Sequence, residues 1–349
     1  MSPIEPELLH ARDAAAARRE LLVETATGLA DYEPWIPSSW LYDARGSALF
    51  EQITEQPEYH LARAERSLLG AHADEVASLT QAETVVELGA GTARKTRILL
   101  HALRIRGTLR RFVPVDVDAD TLRTTVTTLA QELPGLELTA VVGDFAHDVT
   151  SAPLAGRRLV VFLGSTLGGL DADGRARTLD VAQQAAGPDG WFLVGVDLVR
   201  DPVRLRAAYA DTAGVSAAFV GNVLTVLNRE LAADFDPDGY THATRWDQAS
   251  HVMRTGLESL TEQIVHVRGL DLVRPFERGM FLRTGLSLKF DRPLLERELR
   301  AAGFSLERWW VDEPGDYALA LARRPRPGPP AGRASSAPTN RVRSGEPPR

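Results

Sequence analysis

The sequence predicts a doubly wound α/β fold: a Rossmann-like, mostly parallel sheet that ends in an antiparallel hairpin and carries an inserted α+β lid. Three observations predict it. Short, near-continuous apolar runs alternate with helical patterns between about residues 83 and 200, the rhythm breaks over 201–290, and an acidic turn separates two final apolar runs. Apolar runs of that kind, spaced by helices, are strands of a parallel sheet covered on both faces. With 349 residues, 44% of them hydrophobic and 25% charged, the chain can bury a full core.

Residues 1–80 read as a helical segment that packs outside the sheet and contributes to the site. The strands of the 81–200 core follow: Thr84–Leu88 ending at Gly89, Arg111–Val115 at Asp116, and Leu138–Val142 near Asp144. Leu159–Leu163 then ends at Gly164, and Trp191–Val196 at Asp197. The first crossover helix, Thr92 to about Leu103, sets Ile98, Leu99, Ala102 and Leu103 on one side. Residues 201–290 read as an inserted substrate lid, with a helix near 201–212 and strands near 258–267 and 285–290. The chain returns to the sheet over 291–322, through a helix from Pro293 to Ala302. Leu306–Val311 and Tyr317–Ala322 then pair around Asp312-Glu313-Pro314-Gly315-Asp316, a strong turn signal. A mostly parallel sheet closed by such a hairpin is the arrangement of class I methyltransferases. The Pro-, Gly-, Ser- and Arg-rich stretch 323–349 has almost nothing apolar to bury and reads as a disordered basic tail.

Charge and composition exclude several functions. The tail carries seven arginines against Glu346, a net of +6, so the body holds −13 of the total −7 and is a poor match for nucleic acid. No apolar run reaches the length of a membrane span, and the acids Glu5, Glu7, Asp13 and Glu20 argue against a transit peptide. With no cysteine, thiolate catalysis and cysteine zinc sites are absent, and the eight histidines show no ligand spacing, so no metal site is expected. The expected state is a cytoplasmic monomer acting on a small molecule, away from membrane and nucleic acid.

Glu87-Leu88-Gly89-Ala90-Gly91-Thr92 sits at the carboxyl end of the first core strand, where such sheets bind ligands. Glycines there let backbone approach a ligand closely; a plain tight turn is the alternative. Asp116 ends the next strand, where a carboxylate can accept both ribose hydroxyls of an adenosine. Asp144 and Phe145 end the third, offering a polar contact and a ring face to adenine. Each acid alone could instead cap a helix. Together they favour an adenosine ligand. NAD is the rival, but its fingerprint needs a third glycine where this chain has Arg94, and no tyrosine is followed four residues later by lysine. S-adenosylmethionine, which has no pyrophosphate, needs neither.

Longer motifs carry a resemblance. Trp40 to Phe50 (WLYDARGSALF), Pro57-Glu58-Tyr59, Glu87 to Thr92 with Lys95-Thr96-Arg97, Val115 to Ala119, and Val142 to Phe145 stand in order along the chain. Phe162 to Thr166, Ala208-Tyr209, Ala217-Ala218-Phe219 and Asn228 to Leu231 follow. From about residue 20 to 322 the chain resembles the ergothioneine-pathway L-histidine Nα-methyltransferase family, which is related to fungal enzymes that methylate a prenylated tryptophan amine. The resemblance implies S-adenosylmethionine as cofactor, held by Tyr42, Gly89, Lys95, Asp116, Asp144 and Phe145. Lys95, one of only two lysines, would meet the donor's carboxylate as a point charge.

The same resemblance implies an acceptor pocket of Tyr59, Gly164, Gly169, Tyr209, Phe219, Gly285 and Ser287. Tyr42, Tyr59 and Tyr209 would carry the catalytic positioning, unless these aromatics are simple core. The chain departs from the family at two places: Gly169 stands where the family has an asparagine on the amino-acid backbone, and Gly285 where it has a glutamate facing the imidazole. The expected activity is therefore N-methylation of the primary amine of a small amino acid or amine in an altered pocket. A genuine histidine Nα-methyltransferase and a non-catalytic donor-binding protein are the alternatives.

Overall fold

The computed structural model describes residues 7–10, 14–145, 149 and 154–325; the rest of the expected tail, from residue 326 on, lies outside the described residues. Eight strands form the main sheet: β1 (Glu7–His10), β2 (Thr84–Leu88), β3 (Arg111–Asp116), β4 (Glu137–Val142), β5 (Arg158–Phe162), β6 (Trp191–Asp197), β12 (Ser305–Val311) and β13 (Tyr317–Arg323). Their spatial order is β1-β4-β3-β2-β5-β6-β13-β12. Strands β1 to β6 run parallel, while β13 runs antiparallel to β6 and to its hairpin partner β12. The terminal hairpin expected from the Asp312–Asp316 turn is present, and the fold is that of class I methyltransferases.

Strand residues alternate between two cores, as a pleat of period two requires. Val85, Phe112, Leu159 and Leu193 face helices α3 (Leu61–Thr80) and α4 (Thr96–Ile105). Val86, Val113, Val160 and Val194 face α6 (Ala172–Ala186) and α9 (Arg292–Ala301). Helix α4 starts four residues later than Thr92, the expected start. The backbone is left-handed at Gly89, Gly91 and Ala93 and cannot enter a helix until that turn is complete.

The chain before residue 80 departs from expectation. Only α3 packs on the sheet as anticipated, and β1 extends the sheet edge itself. Helix α2 (Ala44–Glu55) and the end of α1 (Ala14–Ala30) instead pack on the lid, where Leu29, Ile36, Trp40, Leu41 and Ile53 share one core with Phe219, Leu224, Leu257 and Leu282. The lid holds α7 (Pro202–Ala207) and α8 (Val215–Leu231). It also holds an antiparallel sheet of β7 (Tyr240–Asp247), β8 (Val252–Ser259) and β11 (Phe281–Leu288), and the pair β9 (Gln263–Val267) and β10 (Leu272–Phe276). Sequence reading placed two strand regions here; five strands form. Their faces are half-buried, so the apolar runs that marked the core strands are missing.

Candidate active site

Three strand ends are tied together at the first candidate locus. The amides of Gly89 and Ala90 donate to the Val115 carbonyl at 2.9 and 3.0 Å, and Gly143 N–H donates to the Asp116 carbonyl at 2.9 Å. The Asp116 carboxylate accepts from Gly91 N–H (2.8 Å) and Asp118 N–H (3.1 Å), which orients it while leaving lone pairs unused. Helix α5 (Ala119–Glu132) is capped by Asp118, so the helix-cap alternative for Asp116 falls to its neighbour. A β-carbon added at Gly89 would meet only the Phe145 ring, at 3.9 Å, so the ring faces the glycine loop at the distance of one methyl group. Gly89, Asp116, Asp144 and Phe145 thus converge at the carboxyl ends of β2, β3 and β4.

Beneath them lies a residue that sequence reading passed over. Glu65, buried on α3, accepts from Gly164 N–H with both oxygens (2.8 and 3.0 Å) and from the Tyr317 hydroxyl, and it pairs with Lys95. Lys95 is therefore held at the end of β5, with further protons available. Gly195 on β6 makes this meeting possible: a β-carbon there would lie 2.2 Å from Glu65 Oε1 and 2.3 Å from the Tyr317 hydroxyl. Glu87, at the end of β2, accepts the Thr96 hydroxyl on one oxygen, while the other finds no partner among the described residues. Burial pushes its carboxyl up to about 8, against which the Thr96 hydrogen bond and Lys95 pull only partly.

The acceptor candidates approach from the lid and from α2. Tyr42 meets Phe50 and Phe219 edge-on, with ring centroids 5.6 and 5.5 Å away, and Phe50 also meets Tyr59 at 6.3 Å. About half of Tyr42 remains accessible. Desolvation, then Tyr209 and Asp116, push its hydroxyl up to about 12. Desolvation likewise holds the Tyr59 phenol well above its ordinary value, with Tyr209 and Tyr42 next in weight. Both phenols stay protonated at neutral pH, so they can orient a nucleophile but cannot deprotonate it.

Tyr209 OH and Ser287 Oγ are 2.9 Å apart, and the Lys289 ammonium donates to both, at 2.6 and 2.7 Å. The turn after β5 lies against β11: a β-carbon at Gly168 would sit 2.5 Å from the Leu288 carbonyl. One at Gly169 would meet nothing closer than the Leu286 carbonyl at 3.8 Å, and one at Gly285 only Thr255 Oγ1, at 2.9 Å. The space beside both glycines is thus mostly unfilled. Besides Glu65, sequence reading missed Phe50 and Lys289 as site residues, although Phe50 stands inside a quoted motif. The rarity of lysine was the one available signal for the second. Among the described residues no group of three His, Asp or Glu could hold a metal ion, and no helix is long and apolar enough to cross a membrane.

Comparison with known proteins gives the family. The family described as "Histidine-specific methyltransferase, SAM-dependent" matches residues 21–324. A protein of Mycobacterium tuberculosis named histidine N-alpha-methyltransferase is 48% identical over 298 residues, covering 85% of this chain and 93% of its own. One of the same name from Mycolicibacterium smegmatis is 44% identical, covering 89% and 97%. A solved S-adenosylmethionine-dependent methyltransferase of Clostridium acetobutylicum superposes with TM-score 0.46 at 12% identity, over 80% of this chain and 99% of that one. The chain belongs to the family of histidine-specific, S-adenosylmethionine-dependent methyltransferases, and it is an N-methyltransferase that uses S-adenosylmethionine.

Proposed function

We propose that this enzyme methylates the α-amine of L-histidine. The observation that carries the reading is the 48% identity, across 85% of the chain, to a protein named for that activity. It displaces the expectation of a different amine, which rested on Gly169 and Gly285 alone. The same reading takes the enzyme to be a cytoplasmic monomer.

An oriented carboxylate, Asp116, beside a glycine loop that the Phe145 ring faces supports an adenosine at this place. In this assignment Asp116 takes the ribose hydroxyls, Asp144 and Phe145 the adenine, and Lys95 and Tyr42 the amino-acid end. When bound, S-adenosylmethionine supplies an electrophilic methyl group on a sulfonium. The chain's part is to position the amine in line with it. Tyr59, Gly164, Gly169, Tyr209, Phe219, Gly285 and Ser287 are assigned to the acceptor. The phenolic oxygens of Tyr42 and Tyr59 accept the two N–H bonds of the neutral amine and so aim its lone pair, while Tyr209 bears on the rest of the acceptor. Desolvation by Phe50 and Phe219 favours that neutral form, and the ring faces then stabilise the methylated cation.

A second reading, an amine other than histidine, is favoured by the unfilled space beside Gly169 and Gly285. One screen separates the two: purified protein, S-adenosylmethionine, the twenty proteinogenic L-amino acids and common biogenic amines, read by mass spectrometry. Methylated histidine as the main product supports the first reading. Unmodified histidine beside another methylated amine supports the second, and no methylated product at all refutes both.

A further inference from the structure

We propose that Lys289 is a positioning residue of the acceptor site, whose buried ammonium fixes the Tyr209 and Ser287 hydroxyls so that the pair presents a hydrogen-bond donor to the acceptor molecule. The inference rests on the assignment of Tyr209 and Ser287 to the acceptor, and it adds a residue that touches neither reactant.

The Lys289 side chain has no exposed surface. A buried ammonium costs several kcal/mol unless every proton is partnered. Here each is: one on Asp197 Oδ2 at 2.5 Å, one on the Tyr209 hydroxyl at 2.6 Å and one on Ser287 Oγ at 2.7 Å. Asp197 is equally buried, and its other oxygen pairs with Arg200. The chain has only two lysines and uses arginine for its other 38 strong bases. A compact ammonium with three diverging donors suits this spot, whereas a planar guanidinium aims its donors in one plane.

Proton bookkeeping gives the consequence. Lysine only donates, so both hydroxyl oxygens accept from it. Tyr209 and Ser287 have one proton each, and the single contact between them uses at most one. At least one proton is left over, and it is directed away from the lysine. Whichever way the Tyr209–Ser287 bond runs, the pair offers a donor to a lone-pair atom of the acceptor, such as a carboxylate oxygen or an unprotonated ring nitrogen. Without the ammonium, Asp197 would be the nearest strong acceptor for these hydroxyls, and their protons would turn inward.

The test is the Lys289→Met variant, alone and combined with Ser287→Ala, assayed with S-adenosylmethionine and L-histidine. If wild type prefers another proteinogenic L-amino acid, that one replaces histidine, so a wrong acceptor identity and a wrong role for Lys289 give different results. Lys289→Met should raise the acceptor KM at least tenfold, with a smaller change in kcat and the calorimetric Kd for S-adenosylhomocysteine within twofold of wild type. In the Ser287→Ala background the same substitution should raise KM by a smaller factor, because one of the two hydroxyls it acts through is gone. Lys289→Met/Asp197→Asn removes the carboxylate along with its partner; it should keep the fold and show the same rise if the single variant is insoluble. An acceptor KM within twofold of wild type in a folded variant overturns the proposal. So does a loss of donor and acceptor binding in equal measure, or an undiminished effect in the Ser287→Ala background.

Discussion

Replacing Glu87 by Gln should stabilise the free enzyme, and increasingly so as pH rises. Glu87 is 4% exposed, and burial holds its carboxyl at about 8 instead of the ordinary 4.5. The folded state therefore binds this proton more tightly than the unfolded state. Its contribution to stability is fully present below about pH 4.5 and is lost as pH climbs to about 8. Each unit is worth about 1.4 kcal/mol, so the loss reaches about 3 kcal/mol at pH 7 and about 5 kcal/mol at pH 8. Glutamine keeps the oxygen that accepts from Thr96 and puts an amide where the carboxylate oxygen has no partner, and it never ionises. Urea denaturation at pH 5, 6.5 and 8 should show a small gap at pH 5 that widens in the variant's favour at each step. A gap that does not change with pH would refute the reasoning, because it would mean that Glu87 titrates alike in both states.

Four further outcomes are expected. Asp116→Ala should weaken S-adenosylmethionine binding at least tenfold by calorimetry, since charged hydrogen bonds worth about 1.5–3 kcal/mol are lost. Gly195→Ala should cost about 2–4 kcal/mol in chemical denaturation and lower activity, because its methyl would displace Glu65 from Gly164 and Tyr317. Gly169→Asn with Gly285→Glu should raise turnover of histidine and reduce that of any bulkier amine; Thr255 must rotate to admit the second change. At subsaturating acceptor, the initial rate should climb from about pH 6.5 to about pH 9 as the amine loses its proton, since neither Tyr42 nor Tyr59 takes it.

The core sheet was legible because its strands are buried on both faces. Thr84–Leu88 and Trp191–Asp197 are buried throughout and read as near-continuous apolar runs. The donor-site candidates followed from them, since Asp116 ends a strand and Gly89 and Asp144 stand one and two residues past one. The lid was poorly legible. Tyr240–Asp247 has one face toward α8 and the other half in solvent, and Thr241, His242 and Arg245 dilute its pattern. Glu65 was invisible for another reason. It lies on a helix whose periodicity only asks for a residue facing the sheet, and its partners Gly164, Lys95 and Tyr317 are 99, 30 and 252 residues away. No local pattern encodes such a meeting. Gly169 and Gly285 show the converse: their positions came from the sequence, but only the three-dimensional surroundings say that space is left beside Gly169 and that Thr255 stands against Gly285.

The lid core joins residues 29–53 to residues 219–282, and this sets a timetable for synthesis. When Trp40, Leu41 and Ile53 leave the ribosome, the helix that will cover them has not been made; 166 residues separate Ile53 from Phe219. At about 5–20 residues per second, that apolar surface waits about 10–30 seconds for its partner while the sheet strands between them emerge and can pair. The nascent chain therefore carries a sticky flank through about half of its translation. It is there that a holding chaperone, or a slowed codon stretch near the lid, would change the yield of folded enzyme.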